Sequence, residues 1–398
     1  MNLAFQEGDT LQNFIYSIPT KVAFGRKMIN KLPEFIGEFG NRVLLVYGGG
    51  SIKKTGLYQN IAGLLQKNSI EYYDLSGVEP NPHLSTVKRG IEICRKNNIQ
   101  VVLPVGGGSS IDCAKAVAAG FYYEGDAWDL VLDSSLVKKV LPIITVPTLA
   151  ATGSEMDYFS VISNEKTNDK LEIENELLYP KYSILDPENT FSVSKYQTAC
   201  GTVDIMSHLF EVYFNGVEGT YFQERVIEGM LKTCIHYGPV ACEKPDDYEA
   251  RANLMWTASW AINGFIACGK IGPWPAHAIE HQLSAYYDVT HGHGLAVVIP
   301  SLMKYILSEK TAYIFSNYGK NVFNINPELS DFEIAEKAIE ETRNLFKHMG
   351  LSLRLRDIGI NSKDKFEVMA LKACKSSMDG CIVPLHEDDV IKIYESCF

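Results

Sequence analysis

Arg42-Val-Leu-Leu-Val-Tyr-Gly-Gly-Gly-Ser51 joins an almost wholly apolar run to three consecutive glycines and a serine. An unalternating run rich in Val and Leu fits a strand buried on both faces, as parallel sheets covered by helices require. The glycines permit a sharp turn, and Leu57 to Lys67 then carries helical spacing of apolar residues. The unit recurs: Val101-Val-Leu-Pro-Val105 meets Gly106-Gly-Gly-Ser109, and a helix is predicted from near Ser110. Between the two units Glu71 to Leu75 reads as a strand, Glu79-Pro-Asn-Pro82 as a loop and Leu84 to Asn97 as a helix. Leu141 to Val146 adds a strand ending at Pro147-Thr148. Upstream, Lys21 to Phe24 reads as a short strand stopped by Gly25, with helical spacing from there to Phe39. Strands alternating with helices predict a doubly wound parallel α/β sheet.

Beyond Tyr179-Pro180 and Asp186-Pro187, which mark turns, β-branched runs become scarce, and a boundary is placed near residue 190. The windows Cys200–Val212, Gln223–His236, Tyr248–Ile266, Ala276–Tyr286, Leu295–Leu307 and Asp331–His348 all show i, i+3, i+4 apolar spacing. The second half is therefore expected to be all-α. Two domains also suit 398 residues, more than one compact core normally holds. With 46% hydrophobic and 21% charged residues, both halves have the composition of folded protein.

A net charge of −11 opposes binding to nucleic acid or anionic lipid. No apolar run is long enough to span a bilayer, and Met1 to Ile18 lacks the pattern of a secretion signal, so a cytoplasmic location is expected. The nine cysteines lack any Cys-x-x-Cys pair, which argues for reduced core thiols over disulfides or a thiolate zinc site.

Both Gly-Gly-Gly-Ser turns sit between a buried strand and a helix start, where free N–H groups and the helix dipole favour an anion. One such turn is an ordinary tight connection as readily as a ligand loop. Two of them, Gly48–Ser51 and Gly106–Ser109, suggest a single ligand with several anionic or hydroxyl groups lying across strand ends, as a dinucleotide does. Neither is the G-x-G-x-x-G fingerprint. Thr148-Leu-Ala-Ala-Thr-Gly-Ser-Glu155 offers further hydroxyls at a third strand end.

Asp204 and His208 stand four apart in an apolar helical window, so their side chains share one face and can chelate a divalent cation. A capping Asp and a core His would fit that pair equally well. The crowding of His277, His281, His291 and His293 into seventeen residues favours a metal, and carboxylate with imidazole suits Fe²⁺, Zn²⁺, Mn²⁺ or Co²⁺. Spacing does not choose among the four later histidines. His277 and His281 could form a second i, i+4 pair, and His291-Gly-His-Gly294 reads as a flexible loop ahead of a helix at Leu295. His83, His236, His348 and His386 are isolated and read as surface or packing residues.

On these pieces the chain resembles the iron-containing alcohol dehydrogenases, and within them the bacterial NAD(P)H-dependent butanol dehydrogenase group. The resemblance runs from Tyr16-Ser-Ile-Pro-Thr-Lys-Val-Ala-Phe-Gly25 almost to the C-terminus. It is carried by Tyr47 to Gly56, Gly106 to Lys115, Ala151-Thr-Gly-Ser-Glu-Met-Asp157, Asp204-Ile-Met-Ser-His208 and Glu280 to Gly292. It implies a Rossmann-like α/β nucleotide-binding domain over residues 1–190 and an all-helical metal-binding domain over 191–398, the architecture shared with dehydroquinate synthase. The family's Asp-x3-His motif followed by two histidines fourteen apart selects Asp204, His208, His277 and His291 as ligands of one divalent metal, Fe²⁺ ahead of Zn²⁺. His281 then matches the family's non-ligand histidine, a candidate for proton relay. The resemblance further implies that Gly106, Gly107, Gly108 and Ser109 hold the pyrophosphate, that Thr148 and Thr152 approach the nucleotide, that Lys170 reaches the nicotinamide ribose, and that Asp112 caps or contacts the cofactor. Leu149 and Ala151 depart from the common family reading of the third loop and remove one hydroxyl and one glycine. A homodimer is implied by the resemblance alone.

The expected reaction interconverts a primary alcohol such as butanol and its aldehyde, by hydride transfer beside a Lewis-acidic metal. NADPH is expected ahead of NADH: Gly48, Gly49, Gly50 and Ser51 present no carboxylate to a 2′-phosphate, and Lys53 and Lys54 follow closely. A glycerol dehydrogenase-like polyol enzyme would use three protein ligands for zinc, and a nucleotide- and metal-binding sensor would have lost turnover. The presence of all four ligand candidates favours the alcohol dehydrogenase reading.

Overall fold

The computed structural model describes residues 11–376 and 378–398; Met1–Thr10, part of the stretch read above for a secretion signal, and Ser377 lie outside it. Among the described residues there are eight strands: β1 (Lys21–Phe24), β2 (Arg42–Tyr47), β3 (Glu71–Ser76), β4 (Val101–Gly106), β5 (Ile144–Pro147), β6 (Phe159–Asn164), β7 (Asp169–Glu174) and β8 (Tyr182–Leu185). Helices α1 (Leu32–Gly37), α2 (Ser51–Lys54), α3 (Leu57–Lys67), α4 (Leu84–Asn97), α5 (Gly108–Gly120) and α6 (Asp129–Leu132) lie among them. Six strands form one sheet in the order β1-β8-β5-β4-β2-β3, every pairing parallel. Val43, Leu45 and Tyr47 of β2 enter the hydrophobic layer on one face of this sheet, and Leu44 and Val46 enter the layer on the other. That two-sided burial is why β2 reads as an unalternating apolar run. The chain leaves β2 toward the β3 edge and returns on the other side as β4, so the carboxyl ends of β2 and β4 flank a topological switch point.

A two-stranded antiparallel hairpin, β6–β7, interrupts the alternation and turns at Asn168, whose φ is 51°. The sequence reading missed it: Phe-Ser-Val-Ile-Ser-Asn over Phe159–Asn164 breaks the period of two at Ile162, whereas Lys170-Leu-Glu-Ile-Glu174 does alternate charged with apolar residues, a signal that could have found β7. It also missed β8, a four-residue strand inside the stretch read as turns, which is held by parallel neighbours on both sides.

From Lys195 every described regular element except one short 3₁₀ turn is an α-helix: α7 (Lys195–Tyr213), α8 (Tyr221–Glu243), α9 (Tyr248–Ile262), α10 (Pro275–Tyr287), α11 (His291–Ile306), α12 (Ala312–Phe323), α13 (Asp331–His348), α14 (Phe366–Ala373) and α15 (Glu387–Ser396). Ser194 caps α7 by accepting from Gln197 N, and the helix is buried on all sides from Thr198 to Tyr213. A helix buried all round is a core element, so the polar residues it carries there must find partners or ligands.

The sequence reading of His291–Gly294 as a flexible loop is corrected: α11 begins at His291. The two glycines serve close packing. A Cβ on Gly292 would stand 2.1 Å from the Cys200 carbonyl oxygen of α7, and one on Gly294 would stand 2.6 Å from Glu280 Oε1. The nine cysteines are unpaired, seven of them buried. No described helix is long and apolar enough to cross a membrane.

Candidate metal and nucleotide site

Helix α7 presents Asp204 and His208 one turn apart, α10 presents His277 and His281, and α11 places His291 at its first residue. The three helices pack so that Asp204 Oδ1 lies 3.5 Å from His208 Nε2 and 3.6 Å from His291 Nε2. Donor atoms of Asp204, His277 and His291 all fall within 4.8 Å of one another. The His208 ring stacks on His277 at 5.2 Å between centroids, and His277 and His291 are 5.3 Å apart. His281 stands beside this group, its ring 5.4 Å from His291 and 6.1 Å from His277. His293, the fourth crowded histidine, turns away: Nδ1 meets the Tyr196 hydroxyl and Nε2 meets the Ser352 carbonyl.

These donors fit a divalent cation. Asp204 Oδ1, which faces His208 Nε2 and His291 Nε2, is buried without a hydrogen-bond partner, a costly arrangement in a helix interior unless something charged satisfies the site. Burial pushes the Asp204 carboxyl up against the pull of His291 and His277. Burial, reinforced by His277 and His291, drops His208 well below the usual imidazole range, so its ring is neutral and has a lone pair to offer. Three imidazoles with one carboxylate suit Fe²⁺ or Zn²⁺.

Two carboxylates that the sequence reading did not single out complete the surroundings. Glu211, one turn beyond His208 on α7, accepts from His277 N at 2.9 Å and faces His277 Nδ1 at 3.1 Å. Glu280 is wholly buried on α10 and hydrogen-bonds His291 Nδ1. Burial alone would raise Glu280, but His291 and Lys170 outweigh it and hold the carboxyl below its ordinary range. Lys170 comes from β7, with Nζ 3.8 Å from Glu280 Oε2. When ionised, buried Asp204, Glu211 and Glu280 exceed the single ammonium of Lys170 by two negative charges, the charge one divalent cation would cancel. A signal for Glu211 was present in the sequence: Asp204, His208 and Glu211 fall at i, i+4 and i+7, one polar stripe on an otherwise apolar helix.

The three nucleotide-loop candidates follow adjacent strands. β2 ends at Gly48–Ser51, β4 at Gly106–Ser109 and β5 at Thr148, whose N–H donates to Gly106 O at 2.9 Å. A Cβ on Gly49 or Gly50 would meet nothing within 4 Å, and Gly50 needs its φ of 96° to start α2. Lys53 lies over the Tyr47 and Tyr58 rings at 5.0 and 4.7 Å. Gly107 caps α5, and a Cβ on Gly108 would strike Thr152 Oγ1 at 2.3 Å, so Gly108 lets the third loop close on the second. Thr152 Oγ1 accepts from Ser154 N at 3.1 Å. Asp112 is placed behind the loop: its carboxylate takes Ser154 Oγ at 2.6 Å and Val161 N at 3.2 Å, and burial pushes it up to about 7 against the pull of Lys115. Lys115, also buried, donates to Ser154 Oγ, Asp157 and the Phe159 carbonyl, tying α5 to the third loop and β6.

Residues 19–187 match the family described as iron-containing alcohol dehydrogenase, and residues 198–398 match the Fe-containing alcohol dehydrogenase family, C-terminal. The chain belongs to the iron-containing alcohol dehydrogenase family. It is an alcohol dehydrogenase, an oxidoreductase. NADH-dependent butanol dehydrogenase A of Clostridium acetobutylicum is 53% identical over 97% of this chain and 100% of its own length. An NADPH-dependent aldehyde reductase of Escherichia coli is 36% identical, over 88% of this chain and 90% of its own. The crystal structure of NADH-dependent butanol dehydrogenase A from Thermotoga maritima superposes with a TM-score of 0.91 at 41% identity, covering 97% of this chain and 99% of that one.

Proposed function

We propose that this dehydrogenase interconverts butanol-sized primary alcohols and their aldehydes with a nicotinamide cofactor, NADPH ahead of NADH, at one divalent metal held by Asp204, His208, His277 and His291. The supporting observation is the cluster in which three helices bring donor atoms of Asp204, His277 and His291 within 4.8 Å of one another, with His208 Nε2 3.5 Å from Asp204 Oδ1, an oxygen that lacks any hydrogen-bond partner. When bound, the cation supplies Lewis acidity to the carbonyl or alcohol oxygen and the nicotinamide carries the hydride. The chain's own part is to bind, orient and move a proton. Gly106–Ser109 and Gly48–Ser51 offer backbone N–H groups to phosphates, Thr148 and Thr152 line the same crevice, and Asp112 with Lys115 steadies it from behind. Lys170 reaches from the hairpin toward the ribose. Burial, then Lys170 and His291, keep His281 well below the ordinary imidazole range. A neutral ring can accept a proton at one nitrogen while donating from the other, which suits a relay to solvent. The division into nucleotide-binding and metal-binding units is placed near residue 190.

Replacing His277 or His291 with Ala is expected to lower both bound metal and turnover, because three ligands must then hold an ion arranged for four. Elemental analysis showing unchanged metal would remove that residue from the set. For the cofactor, wild type is expected to show the higher kcat/KM with NADPH, and Ser51→Asp to shift the ratio toward NADH, since a carboxylate there repels a 2′-phosphate. The Clostridium relative is named for NADH and the Escherichia one for NADPH, so this loop is the place to test. A wild type that favours NADH, with a ratio unmoved by the substitution, overturns the NADPH preference.

The homodimer reading is supported by a contiguous aromatic surface beside edge strand β1: Phe24 packs on Trp256, Trp256 on Trp260, and Trp260 on Phe265, which also meets Tyr16 and Phe222. Phe222, 62% exposed, and Trp256, 42% exposed, are large apolar groups of the kind a partner surface covers. Unpaired buried thiols suit a reducing compartment, the cytoplasm.

A further inference from the structure

Glu280 is the most deeply buried acid around the histidine cluster, with no exposed surface, yet it is not one of the four ligand candidates. It stands one turn after His277 on α10 and reaches the first residue of α11, where Oε2 hydrogen-bonds His291 Nδ1. The same oxygen lies 3.8 Å from Lys170 Nζ of the hairpin, the one ion pair Lys170 makes among the described residues. Oε1 accepts from Ser284 Oγ at 2.6 Å and abuts Gly294. Both oxygens are thus engaged, and the side chain connects three elements: α10, α11 and β7.

We propose that Glu280 is a positioning residue that fixes the tautomer and orientation of the metal ligand His291 and anchors Lys170 above the metal pocket. With Nδ1–H donated to Glu280, the His291 lone pair sits on Nε2, the nitrogen that faces Asp204 Oδ1 at 3.6 Å. Partner carboxylates of this kind orient a ligand ring and raise its basicity. Glu280 also supplies the negative charge that lets a lysine and a divalent cation share one buried cleft; without it Lys170 would face the metal uncompensated. Glu280, His281 and His291 do bring donor atoms within 4.8 Å of one another, a spacing that would also suit a second cation. Lys170 argues against that use, because its ammonium already neutralises the carboxylate and would repel a second ion.

The proposal rests on the four-ligand reading, so its test carries a control for that reading. Full-length wild type, Glu280→Gln, Glu280→Ala and His291→Ala are loaded with Zn²⁺, checked for folding by circular dichroism, and challenged with a chromogenic chelator to read metal stoichiometry and release rate. Glu280→Ala is expected to release its single Zn²⁺ about 10–100-fold faster than wild type, the usual cost of losing such a partner. Glu280→Gln keeps an acceptor oxygen for His291 but loses the charge. It is expected to fall between the two, and it decides the matter alone if Glu280→Ala does not fold. Release at the wild-type rate in both Glu280 variants, with rapid loss in His291→Ala, overturns this role and leaves the ligand set standing. Wild-type metal retention in His291→Ala overturns the ligand set and this role together. Two Zn²⁺ per chain in wild type falling to one in Glu280→Ala would make Glu280 a ligand and overturn the proposal.

Discussion

The sheet half and the helical half both contain closely spaced glycines and use them for opposite ends. On the sheet side Gly49 and Gly50 border open space, so the backbone itself is presented to whatever enters. On the helical side Gly292 and Gly294 border a carbonyl and a carboxylate at less than van der Waals distance from any added Cβ, so glycine there lets α11 press against α7 and α10. The sheet side offers N–H groups on loops; the helical side offers buried side chains whose geometry depends on how closely helices approach. Substitutions on the helical side should therefore cost more, and through different observables.

The largest expected effect is at His281. His281→Ala should keep its metal and lose activity by about 10²–10⁴-fold, the usual contribution of a proton-transfer group. Loss of metal in this variant would move His281 into the ligand set and blur the division of labour on α10. Next comes Gly292→Ala, whose Cβ would meet the Cys200 backbone, an obstacle that no rotamer change removes. Thermal unfolding should show a loss of about 3 kcal/mol, the upper part of the overpacking range, accompanied by poorer metal retention. A stable, metal-replete Gly292→Ala would show that the α7–α11 approach is not what aims His291.

On the sheet side Gly50→Ala should cost about 1 kcal/mol, because its left-handed φ of 96° is unfavourable for any residue with a Cβ. Gly49→Ala, with space around it, should change stability by no more than about 0.5 kcal/mol. Its effect should appear instead as a higher KM for the nicotinamide cofactor. An unchanged KM would mean that this loop does not bring its backbone against the nucleotide, and the contrast between the two sides would lose one of its terms.

The strands and helices that carry the fold were legible where burial imposes a simple period. β2, α3 and α4 fall at the bounds their apolar spacing predicts, because each buries either both faces or one stripe. The hairpin β6–β7 and helices α12, α14 and α15 were not singled out. β6 breaks the alternation at Ile162, β7 keeps it only from Lys170 to Glu174, and α14 spans only eight residues. Among the site residues, the Asp204–His208 pair was legible from helical spacing alone, while the choice among His277, His281, His291 and His293 required the family resemblance. His293 bonds to Tyr196 and Ser352.

What the sequence by itself determined is therefore local: which segments bury an apolar face, where glycines break a strand, and that one turn of α7 carries a carboxylate and an imidazole on the same side. These follow from the periods of helix and strand, which act over a few residues. Only the tertiary structure decided that Gly292 and Gly294 lie inside a helix, that Glu211 and Glu280 back His277 and His291, and that Lys170 crosses from the hairpin to Glu280. Each of those depends on contacts between residues from 11 to 110 positions apart in the chain or on the closeness of two helix axes. No repeat along a single element encodes such a distance; it is set when the packed core brings the elements together.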